Sequence, residues 1–108
     1  MGPYLQVFIT TPDRATADTL ARRLVDSALA ACVQVLGPIA STYRWKGRVE
    51  SAEEWLCIAK TDQARFPELE QLVVSAHPYD TPEILAVPVV AASARYLAWL
   101  GDALSDRS

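Results

Sequence analysis

Residues 4–10 form a short apolar run rich in strand-forming side chains, which predicts a buried strand near the start of the chain. Thr11-Pro12-Asp13 follows with a capping hydroxyl, a proline suited to the first helical position and an acid for the positive helix end, so a helix is expected to open there. Ala17, Leu20, Ala21, Leu24, Val25 and Ala28 recur at helical spacing as one apolar stripe, opposite Asp18, Arg22, Arg23 and Asp26. The pattern over residues 31–43 is extended, with a bulge or bend expected at Gly37-Pro38. Residues 43–50 alternate aromatic and charged side chains around Gly47, the mark of a hairpin arm with two different faces. Residues 53–61 read as the returning strand, with Trp55, Cys57 and Ala59 on one face and Leu56, Ile58 and Lys60 on the other. Both of its faces are mostly apolar, so it is expected to lie centrally and to be covered on both sides.

A second helix is expected over residues 65–76, with Phe66, Leu69, Leu72, Val73 and Ala76 inward. Residues 84–90 read as a strand whose Pro88 favours an edge or a bulge. Ser93 can cap a last helix striped by Tyr96, Leu97, Leu100 and Leu104, and residues 106–108 read as a frayed tail. The order is βαββαβ plus a terminal helix. That order predicts an α+β fold over residues 1–108: a ferredoxin-like sandwich, with two helices on one face of a four-stranded antiparallel sheet. The hairpin strands exceed the roughly five or six residues of an ordinary strand. Strands that overhang their own sheet invite pairing with another chain, so self-assembly through the hairpin is expected.

Composition narrows the function. The chain has 108 residues, enough for one core, and its 51% hydrophobic content suggests that a partner chain covers some apolar surface. Ten basic against thirteen acidic side chains give a net charge of −3, which argues against nucleic acid as the main partner. Cys32 and Cys57 are too few for a disulfide framework and suit a reducing compartment. No apolar run reaches membrane-spanning length and the start lacks a signal-peptide pattern, so a cytoplasmic protein is expected.

The chemistry concentrates in His77-Pro78-Tyr79-Asp80-Thr81-Pro82-Glu83, which holds the sole histidine, two prolines and two carboxylates. The prolines make it a stiff, non-helical connector that aims its polar groups in fixed directions. His77 can be a metal ligand through a neutral ring nitrogen, with Asp80 and Glu83 beside it, a set suited to a borderline divalent ion such as Cu(II) or Zn(II). The plain alternative is a histidine that bonds a backbone carbonyl and locks the loop.

Three blocks, read together, identify a family. They are Ala31-Cys32-Val33, then the stretch from Ser41 to Glu50 with its Tyr43-x-Trp45-x-Gly47 core, then the His77 segment. With Thr11-Pro12-Asp13 and Tyr96-Leu97-Ala98-Trp99-Leu100, the chain resembles the CutA divalent-cation tolerance proteins over nearly its whole length. The resemblance implies a tight homotrimer in which the hairpin extends a neighbour's sheet, similar to PII-type signalling proteins. It further implies metal or small-ligand sensing in the clefts between subunits. Some members thought to bind copper carry a cysteine on the first strand and a second histidine before the His-Pro-Tyr block. Here Ile9 and Ala76 stand at those positions, and His77 alone remains of that set.

Cys32, Tyr43, Trp45, Trp55, Lys60 and Tyr79 are the candidate cleft or interface residues, and the aromatic ones also read as core anchors. Lys60 is a charge on an inner strand that needs a partner, for which Glu50, Glu53, Glu54 or Asp80 of a neighbouring copy could serve. Cys32 and Cys57 look like small buried hydrophobes. Three functions remain open: a trimeric divalent-cation response protein, a non-catalytic interaction scaffold, and an enzyme with Cys32 as nucleophile and His77 as base. The last requires the two side chains to meet, and no oxyanion-hole or phosphate-loop signature accompanies them. The expectation is therefore a protein that is not an enzyme.

Overall fold

The computed structural model describes residues 4–105; the tail expected at 106–108 lies outside them. In chain order the elements are β1 (Tyr4–Thr11), α1 (Arg14–Asp26), β2 (Cys32–Trp45), β3 (Arg48–Asp62), α2 (Phe66–Ala76), β4 (Ile84–Pro88) and α3 (Ala94–Ser105). The sheet runs β2-β3-β1-β4 with every neighbour antiparallel. This is the expected ferredoxin-like order, and β3 is central as its two apolar faces require.

One face of the sheet holds the core. Leu5, Val7 and Ile9 of β1 alternate inward with Cys57 and Ala59 of β3, against Ala17, Leu20 and Leu24 of α1 and Leu69 and Val73 of α2. Each fully buried Leu or Val there contributes about 1.5–3 kcal/mol relative to exposure. Cys57 Sγ lies 3.8 Å from the Ala17 carbonyl oxygen, and the Thr61 hydroxyl donates to Leu29 O at 2.7 Å, so the polar atoms facing this layer are satisfied.

The helix boundaries follow local chemistry, with one shift from expectation. Asp13, not Thr11, caps α1: its carboxylate accepts from Thr16 N at 2.8 Å, which also holds its pKa below the usual carboxylate value. Thr11 is spent elsewhere, paired with Trp55 in the sheet while its hydroxyl donates to Asp13 O. Helix α1 also ends earlier than its stripe. Val25 is exposed, and Ala28 lies beyond the helix at φ 56, with Ala28 N bonded to Val25 O and Leu29 N to Leu24 O. Those two bonds are a Schellman closure with alanine where glycine is usual.

Ser93 caps α3 by accepting from Tyr96 N, and Leu100 and Leu104 face inward, but Tyr96 is exposed beside Trp99. Arg65 ties the end of that helix down, bonding Asp62 at 2.7 Å and Leu104 O at 2.7 Å. Strand β4 is an edge, as Pro88 requires; it stops at that proline, and Val89 N adds one further bond to Tyr4 O.

Two features position the site. The β2–β3 ladder breaks between Leu36 and Ile39 at the cis Gly37-Pro38 peptide, where the bulge was expected. Beyond it, seven pairs from Ile39↔Glu54 to Trp45↔Arg48 form an arm with no third strand, closed by Lys46 and Gly47, both at positive φ. The second feature is the face away from α1 and α2. Register places Phe8, Leu36, Leu56, Ile58, Leu85 and Val87 there together. Leu85 is 58% exposed and Leu36 45%, so the second cover expected for β3 is not supplied by this chain's own core helices.

Candidate functional site

A half-open cleft of about 790 Å³ runs along one face of the arm, from its base beside the end of β1 and the loop after α2 out to Trp45. Each side is fixed by a local cause. The bulge turns Ser41, Tyr43 and Trp45 of the arm toward the loop. The loop is stiffened by Pro78 and Pro82 and anchored at its root by His77.

His77 is buried, and both ring nitrogens are engaged. The backbone N–H of Tyr79 donates to Nδ1 at 3.1 Å, which leaves the proton on Nε2, 2.7 Å from the Thr10 carbonyl oxygen. The histidine therefore ties the loop to the last turn of β1. It also stacks at a tilt against Tyr79, with ring centroids 4.8 Å apart.

Tyr79 in turn donates its hydroxyl to Glu54 Oε2 at 3.0 Å. Burial first, and then the bond and charge of Glu54, push the Tyr79 phenol up to about 12. Glu54 is only 8% exposed and has no ion pair among the described residues. Glu83 feels it: desolvation, followed by the Glu54 charge, raises the Glu83 pKa above the ordinary carboxylate value. Asp80 adds a third acid to the rim, and no basic side chain among the described residues lines the cleft.

The residues singled out by sequence divide into three groups. His77, Tyr79, Asp80, Glu83, Tyr43 and Trp45 come together at or directly behind this cleft. Cys32 and Lys60 face each other at the opposite end of the sheet, where Lys60 Nζ donates to Gln34 Oε1 at 2.7 Å, its partner lying within the chain. Trp55 points to the helix side, packed on the core with the Arg14 guanidinium 5.6 Å above its ring. Register also separates the enzyme pair. Cys32 shares a row with Lys60 and Gln6, four residues from Thr10 on β1, so about 14 Å of strand lies between Cys32 and the His77 anchor. Burial, and then the Asp18 charge, pushes the Cys57 thiol up to about 11, away from the thiolate form.

Glu54, offered by the sequence only as a neighbour's partner for Lys60, instead joins Tyr79 in this cleft. Alternation with Leu56, Ile58 and Lys60 places it on the face away from the helices, and the bulge in β2 brings Tyr43 and Trp45 to that same face. The donor set does not make a copper or zinc shell within one chain. No group of three His, Cys, Asp or Glu side chains among the described residues is placed to hold a metal ion, and the His77 nitrogens are occupied. An ion bound here would need donors from a second copy or water.

The family model described as CutA1 divalent ion tolerance protein matches residues 5–103. The chain is 43% identical over 94 residues to the divalent-cation tolerance protein CutA of Thermus thermophilus, covering 87% of this chain and 91% of that one. It is 41% identical over 98 residues to the chloroplastic CutA of Arabidopsis thaliana, covering 91% of this chain but 54% of that longer protein. It thus spans about half the length of that plant relative. Among solved structures, the Thermus thermophilus protein superposes with a TM-score of 0.88 at 41% identity over 90% of this chain and 94% of that one. CutA from Xylella fastidiosa gives 0.91 at 34% identity over 95% and 99%.

Proposed function

The chain belongs to the CutA1 divalent ion tolerance family, and from that premise we propose that it works as a non-catalytic homotrimer whose clefts take up positively charged ligands. One observation carries the choice of charge. The cleft gathers Glu54, Asp80 and Glu83 and offers no basic side chain among the described residues, which favours a cation over a small anion. A divalent ion such as Cu(II) or Zn(II), or a small organic ligand, satisfies this reading; a metal ion takes part of its shell from a neighbouring copy.

Assembly is supported by the apolar sheet face and by the arm. A two-stranded ribbon is at best marginally stable alone in water, so seven pairs without a third strand favour a second chain alongside. The absence of catalysis is supported by the Cys32–His77 separation and the spent His77 ring. A reducing, cytoplasmic setting fits the two free thiols. No described helix is long and apolar enough to cross a membrane.

The test is a native mass spectrum of chelator-stripped protein before and after addition of Cu(II) and Zn(II). The expected species is a trimer that gains about one ion per chain, as a three- or four-ligand site in each cleft requires. A monomer would overturn the assembly. A metal-free trimer would remove the ions and leave the organic cation.

A further inference from the structure

Three things about the cleft select among cations, and the selection rests on the reading above. The first is Glu54. A side chain more than nine-tenths buried carries a carboxylate whose one protein donor is the Tyr79 hydroxyl, on Oε2, and no cationic side chain among the described residues answers it. Buried carboxylates are ordinarily paired or coordinated, because desolvating an unpaired charge is costly. The second is the nature of the walls. Tyr43, Trp45 and Tyr79 present aromatic surface beside Glu54 and Glu83, together with two proline rings. Aromatic faces and proline rings are not metal ligands, but they are what an alkylammonium group packs against, charge over ring and methylenes against carbon. The third is size. A cleft of about 790 Å³ falls within the roughly 300–1,000 Å³ of small-molecule sites, far more than a bare ion fills.

We propose that the cleft binds a small organic ammonium compound, its nitrogen on Glu54 with Glu83 alongside and its carbon skeleton between Tyr43, Trp45 and Tyr79. Buried Glu54 supplies the fixed charge and Tyr79 holds that carboxylate in place. Exposed Glu83 closes the outer side. Trp45, at the end of the arm, sets how large a skeleton fits.

The experiment is a calorimetric titration of the intact, chelator-stripped assembly at neutral pH. The probes are n-butylamine, tetramethylammonium and spermidine, with 1-butanol as neutral control and Zn(II) and Cu(II) in parallel. The expected result is saturable binding of at least one ammonium probe at one per chain, with none for 1-butanol. Glu54→Gln, which keeps an acceptor for Tyr79, weakens it by about tenfold or more, as loss of a charge-assisted contact does. Trp45→Leu weakens it several-fold by removing a ring face, on the order of three- to tenfold. Glu83→Gln, at an exposed position, gives a second charge variant should Glu54→Gln fail to fold.

Binding of the metals without any ammonium probe overturns this inference and leaves the cation reading standing. No binding of either class overturns both. Unchanged ammonium affinity in both charge variants places the compound elsewhere and overturns the site. A structure of the assembly with a neighbour's Lys or Arg seated on Glu54 likewise overturns it, since the charge would already be matched.

Discussion

His77 shows how one side chain organises a site without facing it. Its two ring nitrogens join the Thr10 carbonyl to the Tyr79 amide, and Tyr79 then holds Glu54. Position in the chain makes this necessary: two prolines strip the loop of backbone donors, so a side chain must fasten it. Replacing His77 by alanine leaves the Thr10 oxygen without this donor and Tyr79 N without its acceptor. The expected loss is about 1–3 kcal/mol of stability, the usual cost of an unsatisfied buried group, read from the urea midpoint. Hydrogen exchange of the Tyr79 amide should accelerate as well. A variant as stable and as protected as the parent would show that the prolines hold the loop alone. The histidine was visible in the sequence as a chemical singularity, and a carbonyl-bonding role was one of its two readings. Which partners it takes was not visible, because Thr10 is 67 residues away along the chain.

At the scale of elements, the arm and its bulge aim the cleft, and two glycines hold them for different reasons. A methyl group at Gly37 would sit 2.8 Å from two carbons of the Trp55 ring, and that ring is already packed on the core. Gly47 has open space around it, and only its φ of +78 favours glycine. Gly37→Ala should therefore cost about 1–3 kcal/mol through overpacking. Gly47→Ala should cost about 1 kcal/mol through backbone conformation alone. Denaturant midpoints of the two variants, taken side by side, check the order. Equal losses would mean that the Trp55 ring swings away freely. The Gly37-Pro38 break was legible because those two residues interrupt a strand pattern. Its consequence for Ser41, Tyr43 and Trp45 was not, since the direction of a side chain beyond a bulge depends on how many residues the bulge skips.

At the scale of the whole molecule, the sheet is finished on one side only. Leu20, Leu24, Leu69 and Val73 close the helix face, whereas Leu36, Leu85 and Val87 stand open on the other. The two faces are physically independent enough to separate folding from assembly. Leu85→Asp places a charge on the open face, 58% exposed in the single chain, and leaves the helix-side core untouched. The expected outcome is a folded protein with native circular dichroism that sediments as a smaller species than the parent. An undiminished assembly would put the interface on the arm alone.

The sequence by itself determined the element order, the central place of β3, the edge place of β4 and most of the core. Those follow from periodicity and from proline and glycine, which act within a few residues. It also determined the family, through motif blocks that are specific when read together. It missed by two residues at the α1 cap and by two at the helix end, which falls at Asp26 and not at Ala28, where local propensity yielded to sheet pairing and to a Schellman closure. Only the tertiary structure decided that Glu54 joins Tyr79 and Glu83 and that Cys32 and His77 stand apart. These outcomes depend on strand register. Register is set by the sum of many weak cross-strand contacts, and a shift of one residue sends every side chain to the opposite face.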